Sequence, residues 1–280
     1  ATTISIDQTA STLPQKKGDP PNFGTVKSGR ALAFDGVVDY LTFVGTKPRN
    51  NVTVACWINS TFASTWDTIL GNAHGFGDYI WFQIKNDGTI ACALKGIDGG
   101  GADAYGDFIS ASSSTIIANT WHRVVMAYDS TSGGVIYVDG VSVATTSSTG
   151  SIDAYTGNLQ IGMSGSSNYH FGGNMSDWQL WDATWSNTDV TNDYTHPEML
   201  AHTFSGTSLT ASNLKVWYPM TEGNPESPQT TIFDGSGNKN HATSVFYGDE
   251  LITSDYTDNG TFTTDNGNWA AYGTNSSIQT

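Results

Sequence analysis

Short apolar runs, each alternating hydrophobic with polar residues and closed by Gly, Asp or Asn, recur along most of this chain. Between residues 31 and 190 they include ALAFDGVVDYLTF (31–43), VTVACWIN (52–59), NTWHRVVMAYD (119–129), GVIYVDGVSV (134–143) and NLQIGM (158–163). A period of two sends successive side chains to opposite faces of a strand, so each run has one face to bury. Val52, Val54, Cys56 and Ile58 share such a face, and Val124, Met126 and Tyr128 share another. Runs of this length, separated by turn residues, predict an all-β protein in which two antiparallel sheets meet face to face as a β-sandwich.

Composition agrees with short strands and frequent turns. The 280 residues include 31 Gly with 9 Trp, 12 Tyr and 12 Phe, and 38% are hydrophobic, enough for a sizeable core. Asp139-Gly140 within YVDGV has the residue types that tight hairpin turns require, because both must take positive φ. A short helix is predicted within 188–200, starting at Ser186 or Thr188 and closed by Pro197. Cys56 and Cys92 each lie within an apolar run, so two buried free thiols are favoured over one disulfide.

Charge excludes some partners. With 26 acidic residues against 11 basic ones the formal net charge is -15, which repels phosphate backbones and anionic lipid surfaces. Nucleic acid and membrane insertion are therefore not expected, and no retained leader or membrane-spanning run is visible. Most of the acids are Asp in Gly-, Asn- and Ser-rich turns, where their side chains cap backbone amides.

Taken in order, these runs and the segment FGGNMSDWQLWDATWSNTDV (171–190) resemble the laminin-G-like members of the concanavalin A-like lectin/glucanase superfamily. Trp121-His122-Arg123 and the YVDGV hairpin match motifs of that family, whose Trp ordinarily lies in the core. Residues 213–243 (NLKVWYPMTEGNPESPQTTIFDGSGNKNHAT) resemble an element that opens the domain in many relatives but here follows the other strands. The resemblance implies a jelly-roll sandwich over 31–243, preceded by an extended polar arm (1–30). Residues 244–280 are then a linker or the beginning of a second carbohydrate-binding-like module.

Candidate sites follow. The loop holding Asp234, Asn238 and Asn240 offers oxygen ligands for Ca2+, a hard cation that takes six to eight of them, and the resemblance places Asp177 nearby. The same loop reads equally as an Asx turn. For glycan recognition three Gly-rich loops combine aromatic and polar residues: 71–79 with Asp78 and Tyr79, 96–107 with Asp103 and Tyr105, and 164–171 with Tyr169 and His170. The paired glutamates of the glucanase branch are missing, since Glu198, Glu222, Glu226 and Glu250 all follow the main strand region. No Gly-x-Ser-x-Gly elbow occurs, and His74, His122, His170 and His196 show no triad spacing.

The expectation is a non-catalytic protein that binds polysaccharide. The polar arm and the run-on after residue 243 resemble modular phage virion proteins such as tail or capsid fibres. They imply an exposed virion appendage that recognises host-surface polysaccharide, contacts other virion proteins and assembles as a homo-oligomer such as a trimer. Two alternatives stay open: a purely structural decoration or adhesin protein, and a secreted accessory module of a polysaccharide-degrading enzyme.

Overall fold

The computed structural model describes residues 30–72, 80–97, 105–110, 113–165, 169–220, 231–245, 253–256 and 262–264, with backbone alone for residues 30, 105–109, 253–256 and 262–264. The strands are β1 (Arg30–Asp35), β2 (Tyr40–Phe43), β3 (Asn51–Ser60), β4 (Trp66–Asn72), β5 (Ile80–Lys85), β6 (Ile90–Lys95), β7 (Tyr105–Ile109), β8 (His122–Asp129), β9 (Gly133–Val138) and β10 (Val141–Thr146). They continue as β11 (Leu159–Ile161), β12 (Gly172–Trp181), then helix α1 (Asn187–Thr195), and β13 (Leu214–Tyr218), β14 (Thr231–Ile232), β15 (Ala242–Val245), β16 (Thr253–Tyr256) and β17 (Phe262–Thr264). Sheet A runs β10-β9-β8-β3-β12-β1-β16-β17, with β13 also paired to β12. Sheet B runs β14-β15-β2-β11-β4-β5-β6-β7. The expected antiparallel sandwich is present, and no described helix is long and apolar enough to cross a membrane.

The faces read from the sequence are the ones buried between the sheets. Val52, Val54, Cys56 and Ile58 of β3 and Val124, Met126 and Tyr128 of β8 join Leu41, Phe43, Phe82, Ile84 and Trp178 in the main core. Both cysteines are free and buried there, and burial pushes the Cys56 thiol up, so it stays protonated and inert. Asp139 and Gly140 have φ of 51° and 79°, the left-handed pair that turns β9 into β10.

A second cluster lies on the opposite side of sheet A. Ala55, Val125, Ala127 and Tyr137 point there and are covered by Trp181, Trp185, Val190, Ala201, Leu209 and Leu214. Sheet A is thus apolar on both sides, which explains why β3 and β8 are buried nearly without alternation. The lid is α1 with the segment after it. Ser186 caps α1 in a reciprocal box with Asp189, the helix stops at Thr195, and Pro197 follows.

One sequence expectation changes. Trp121 is only half-buried, whereas its neighbours His122 and Arg123 are buried. At the C-terminal side, β16 pairs antiparallel with β1 and β17 pairs with β16, so part of 244–280 extends sheet A. The arm at residues 1–29 lies outside the described residues.

Candidate functional site

Asp234 follows β14 and turns the chain towards β15. Its Oδ1 accepts from the backbone N–H of Trp217 (3.0 Å) and of Ser236 (2.9 Å). Its Oδ2 accepts from Ser236 Oγ (2.8 Å) and from the N–H of Asn240 (2.9 Å). Asn238 and Asn240 aim their Nδ2 donors at the Lys215 carbonyl, at 3.1 Å each. The loop therefore staples the β14–β15 hairpin of sheet B to β13 of sheet A. A carboxylate has about four acceptor positions, and four donors already occupy those of Asp234, so a cation would have to displace them.

Asp177 is not part of that loop. It sits at a bulge in β12, with φ of 50°, and its Oδ1 accepts from Trp217 Nε1 at 2.7 Å. Trp217 thus stands between Asp177 and Asp234, giving its ring N–H to one and its backbone N–H to the other. The other oxygen of Asp177 faces Gln179 Nε2 (2.8 Å) and Arg123 NH1 (3.1 Å). Among the described residues no three His, Cys, Asp or Glu side chains converge as a metal group.

Arg123 carries the densest buried electrostatics. Its guanidinium, 1% exposed, makes a forked pair with Asp193 of α1 (Nε to Oδ2 2.7 Å, NH2 to Oδ1 3.0 Å) and donates NH1 to the Asp177 carbonyl. Trp57 lies under it at 5.9 Å and in turn stacks on Tyr194 of α1. Burial pushes the Asp193 carboxyl up to about 6 against the pull of Arg123. Next to it, His122 Nδ1 bonds Asp139 Oδ2 (2.7 Å) while Nε2 accepts from the Ile117 N–H (3.1 Å). Both ring nitrogens are committed to the fold, and the whole group clamps the helix to sheet A.

With this part of sheet A covered, the outer side of sheet B remains, although Thr68, Gln83 and Gln160 on it are themselves buried. Trp81, Gln83 and Lys85 point there from β5, because Ile80, Phe82 and Ile84 take the core. The register sets Ala93 opposite Trp81 and Ala91 opposite Gln83, so two small side chains leave the indole a low floor. Residues 163–165 cross this face over Gly71. A Cβ at Gly71 would stand 2.6 Å from the Met163 carbonyl oxygen, a contact only glycine permits. Ser164 Oγ accepts from Trp81 Nε1 (2.8 Å), and Thr68 Oγ1 donates to the Tyr169 carbonyl (2.8 Å) while accepting from Gln83 Nε2 (3.0 Å). His170 is fixed by its carbonyl, which accepts from Ser64 Oγ (2.9 Å), and its ring faces Tyr40 at 6.5 Å. Burial holds the His170 imidazole below its usual range, opposed by a hydrogen bond with the Asp39 backbone and by the charge of Asp35.

Residues 35–191, more than half of the chain, match the Laminin_G_3 family of the concanavalin A-like lectin/glucanases superfamily. The chain belongs to this family. Among solved structures, this laminin-G-like chain is similar to a proposed carbohydrate binding protein from Bacteroides ovatus, with 16% identity and a TM-score of 0.60 over 82% of this chain and 60% of that one. It is also similar to a heptameric SAP-like pentraxin from Limulus polyphemus (19% identity, TM-score 0.47, 59% of this chain and 81% of that one). Domains LG4-5 of the mouse laminin alpha1 chain align with 20% identity and a TM-score of 0.40, over 54% of this chain and 40% of theirs. At these identities the likeness is one of fold, and the chain spans 60% of the length of the Bacteroides protein. No curated protein matches the chain by sequence.

Of the sugar-site residues expected in this family member, Tyr169 and His170 lie together on the segment crossing sheet B. Asp78, Tyr79 and Asp103 fall outside the described residues, and Tyr105 begins β7 with only its backbone described. Trp81, Gln83 and Ser164 were not among the expected residues. A period-two reading of IWFQIK separates the Trp81–Gln83 face from the Ile80–Phe82–Ile84 face, yet which of the two meets the core depends on the other sheet.

Proposed function

We propose that the chain is a non-catalytic recognition domain that binds polysaccharide on the outer side of sheet B. The observation that carries this reading is Trp81, a half-buried indole locked by Ser164 above an alanine floor and beside the segment that bears Tyr169 and His170. A rigid aromatic ring flanked by directed polar groups suits a sugar, which presents an apolar ring face and an equatorial rim of hydroxyls. Glu198, which follows α1, lies on no described strand, and the remaining three glutamates fall outside the described residues. The setting proposed is an exposed virion appendage, acting as a homo-oligomer, in which the domain recognises host-surface polysaccharide. That setting rests on the resemblance of the polar arm and C-terminal region to modular virion fibres.

The experiment is retention of the purified chain on a panel of bacterial and algal polysaccharides, compared with Trp81→Ala. Retention by at least one polymer is expected, with Trp81→Ala weakening it about tenfold or more while the melting transition stays cooperative. Silence of the folded parent across the panel would transfer the assignment to a structural decoration protein.

A further inference from the structure

The segment over Gly71 divides the outer side of sheet B, and the half beyond it forms a surface of its own. Thr231 is opposite Thr243, Thr243 opposite Thr42, Thr42 opposite Gln160, and Gln160 opposite Gly71. Leu70 opposite Phe82 then sets Gly71 beside Trp81. One transverse row therefore runs from three threonines through Gln160 to Trp81. Five strand spacings make it about 24 Å long. Beside the threonines stand Phe233 and Val44, 52% and 65% exposed, with His241 meeting Phe233 edge-on at 5.3 Å. His241 is held in place, because its Nδ1 accepts the N–H of Asp234 at 3.0 Å. Gln160 is only 5% exposed, and its Oε1 has no hydrogen-bond partner among the described residues.

We infer that this half is a second subsite, across the 163–165 segment from Trp81, for an extended and electrically neutral polysaccharide. The inference rests on the glycan reading of the Trp81 face and adds the class of sugar. The threonine row, Phe233 and Val44 hold no ionisable side chain, on a chain whose net charge is -15. Uronate or sulfate groups laid along such a face would find no counter-ion there and would meet the repulsion of the whole molecule. Hydroxyl groups, by contrast, find matching donors and acceptors in the threonines. Phe233 supplies the second ring for stacking, far enough from Trp81 that both are used only by a polymer.

The test uses the full chain with neutral β-glucan, mannan and xylan, their oligosaccharide ladders, and alginate and polygalacturonate as acidic comparators. Affinity of the parent is expected to rise with the length of a neutral oligosaccharide. Phe233→Ala, at an exposed position, should lower affinity for the polymer roughly three- to tenfold and leave the shortest bound oligosaccharide unaffected. Thr243→Val provides a second variant that keeps strand preference and removes a hydroxyl, with the same expected direction. Parental polymer affinity in Phe233→Ala, alongside its loss in Trp81→Ala, would overturn the second subsite and leave the Trp81 reading standing. Preference for the acidic polymers would overturn neutrality. A parent that dimerises in solution and dissociates on Phe233→Ala, with polymer binding intact, would reassign the face to a second copy. No binding to any polymer would remove both readings.

Discussion

Asp234 shows how one residue type supports two readings until its neighbours are known. In the sequence, Asp-Gly-Ser-Gly-Asn-Lys-Asn offers the same oxygens to a calcium ion as to an Asx turn. The donors to Asp234 include the backbone N–H of Trp217, which no local spacing announces because β13 belongs to the other sheet. Asp234→Ala would leave the N–H groups of Trp217, Ser236 and Asn240 without this acceptor. A loss of about 1–3 kcal/mol in urea unfolding is expected, from desolvated groups left unpaired. The same decrement should appear in calcium and in chelator. A calcium-dependent rise in the parent melting temperature that Asp234→Ala abolishes would instead establish the loop as a metal site. Loop composition singles out Tyr169 and His170 in the sequence, whereas alternation does not say which of the two β5 faces, that of Trp81 and Gln83 or that of Ile80, Phe82 and Ile84, turns outward.

At the scale of elements, α1 was readable and its anchorage was not. Ser186 and Asp189 have the spacing of a capping box, and Pro197 marks the exit, so the helix follows from local chemistry. Arg123, lying next to the apolar run VVMAY, looks like a polar strand-end residue, while its partner Asp193 is 70 positions away. The physical consequence is a buried charge whose stability depends on the fork being complete. Arg123→Met should destabilise the fold by about 3–5 kcal/mol, since Asp193 would be left buried without its cation. Adding Asp193→Leu should restore a large part of that loss, because Asp177 keeps its bonds from Gln179 and Trp217. Denaturant unfolding of the parent, both single variants and the double variant measures the coupling. A double variant no more stable than Arg123→Met would show that the fork does not anchor α1.

For the molecule as a whole, two facing sheets follow from the alternation of β3, β8 and their neighbours, but the exposed face does not. Which sheet stays open depends on α1 and the segment after it folding back over Ala55, Val125 and Ala127, a long-range event that strand periodicity does not encode. The pairing of β16 with β1, and of β17 with β16, was equally hidden, because pairing is decided by an edge elsewhere in the chain. The open face also joins two electrostatic settings. Lys85 and Lys95 stand on the Trp81 half, with Lys85 paired to Asp87 at 2.9 Å, whereas the row on the other half is built from Thr231, Thr243 and Thr42. Salt separates the ligands these settings would take. Screening shortens the Debye length from about 30 Å at 0.01 M to about 3 Å at 1 M, so a neutral polymer held by stacking and hydroxyl contacts should bind within about twofold across that range. An anionic polymer repelled by the net charge of -15 would bind more tightly as salt rises, and one held by Lys85 and Lys95 more weakly. Affinity electrophoresis or titration at the two ends of that range reads the slope directly. A flat profile is expected, and a steep fall in affinity with salt would place the two lysines, rather than Trp81 and the threonine row, at the centre of recognition.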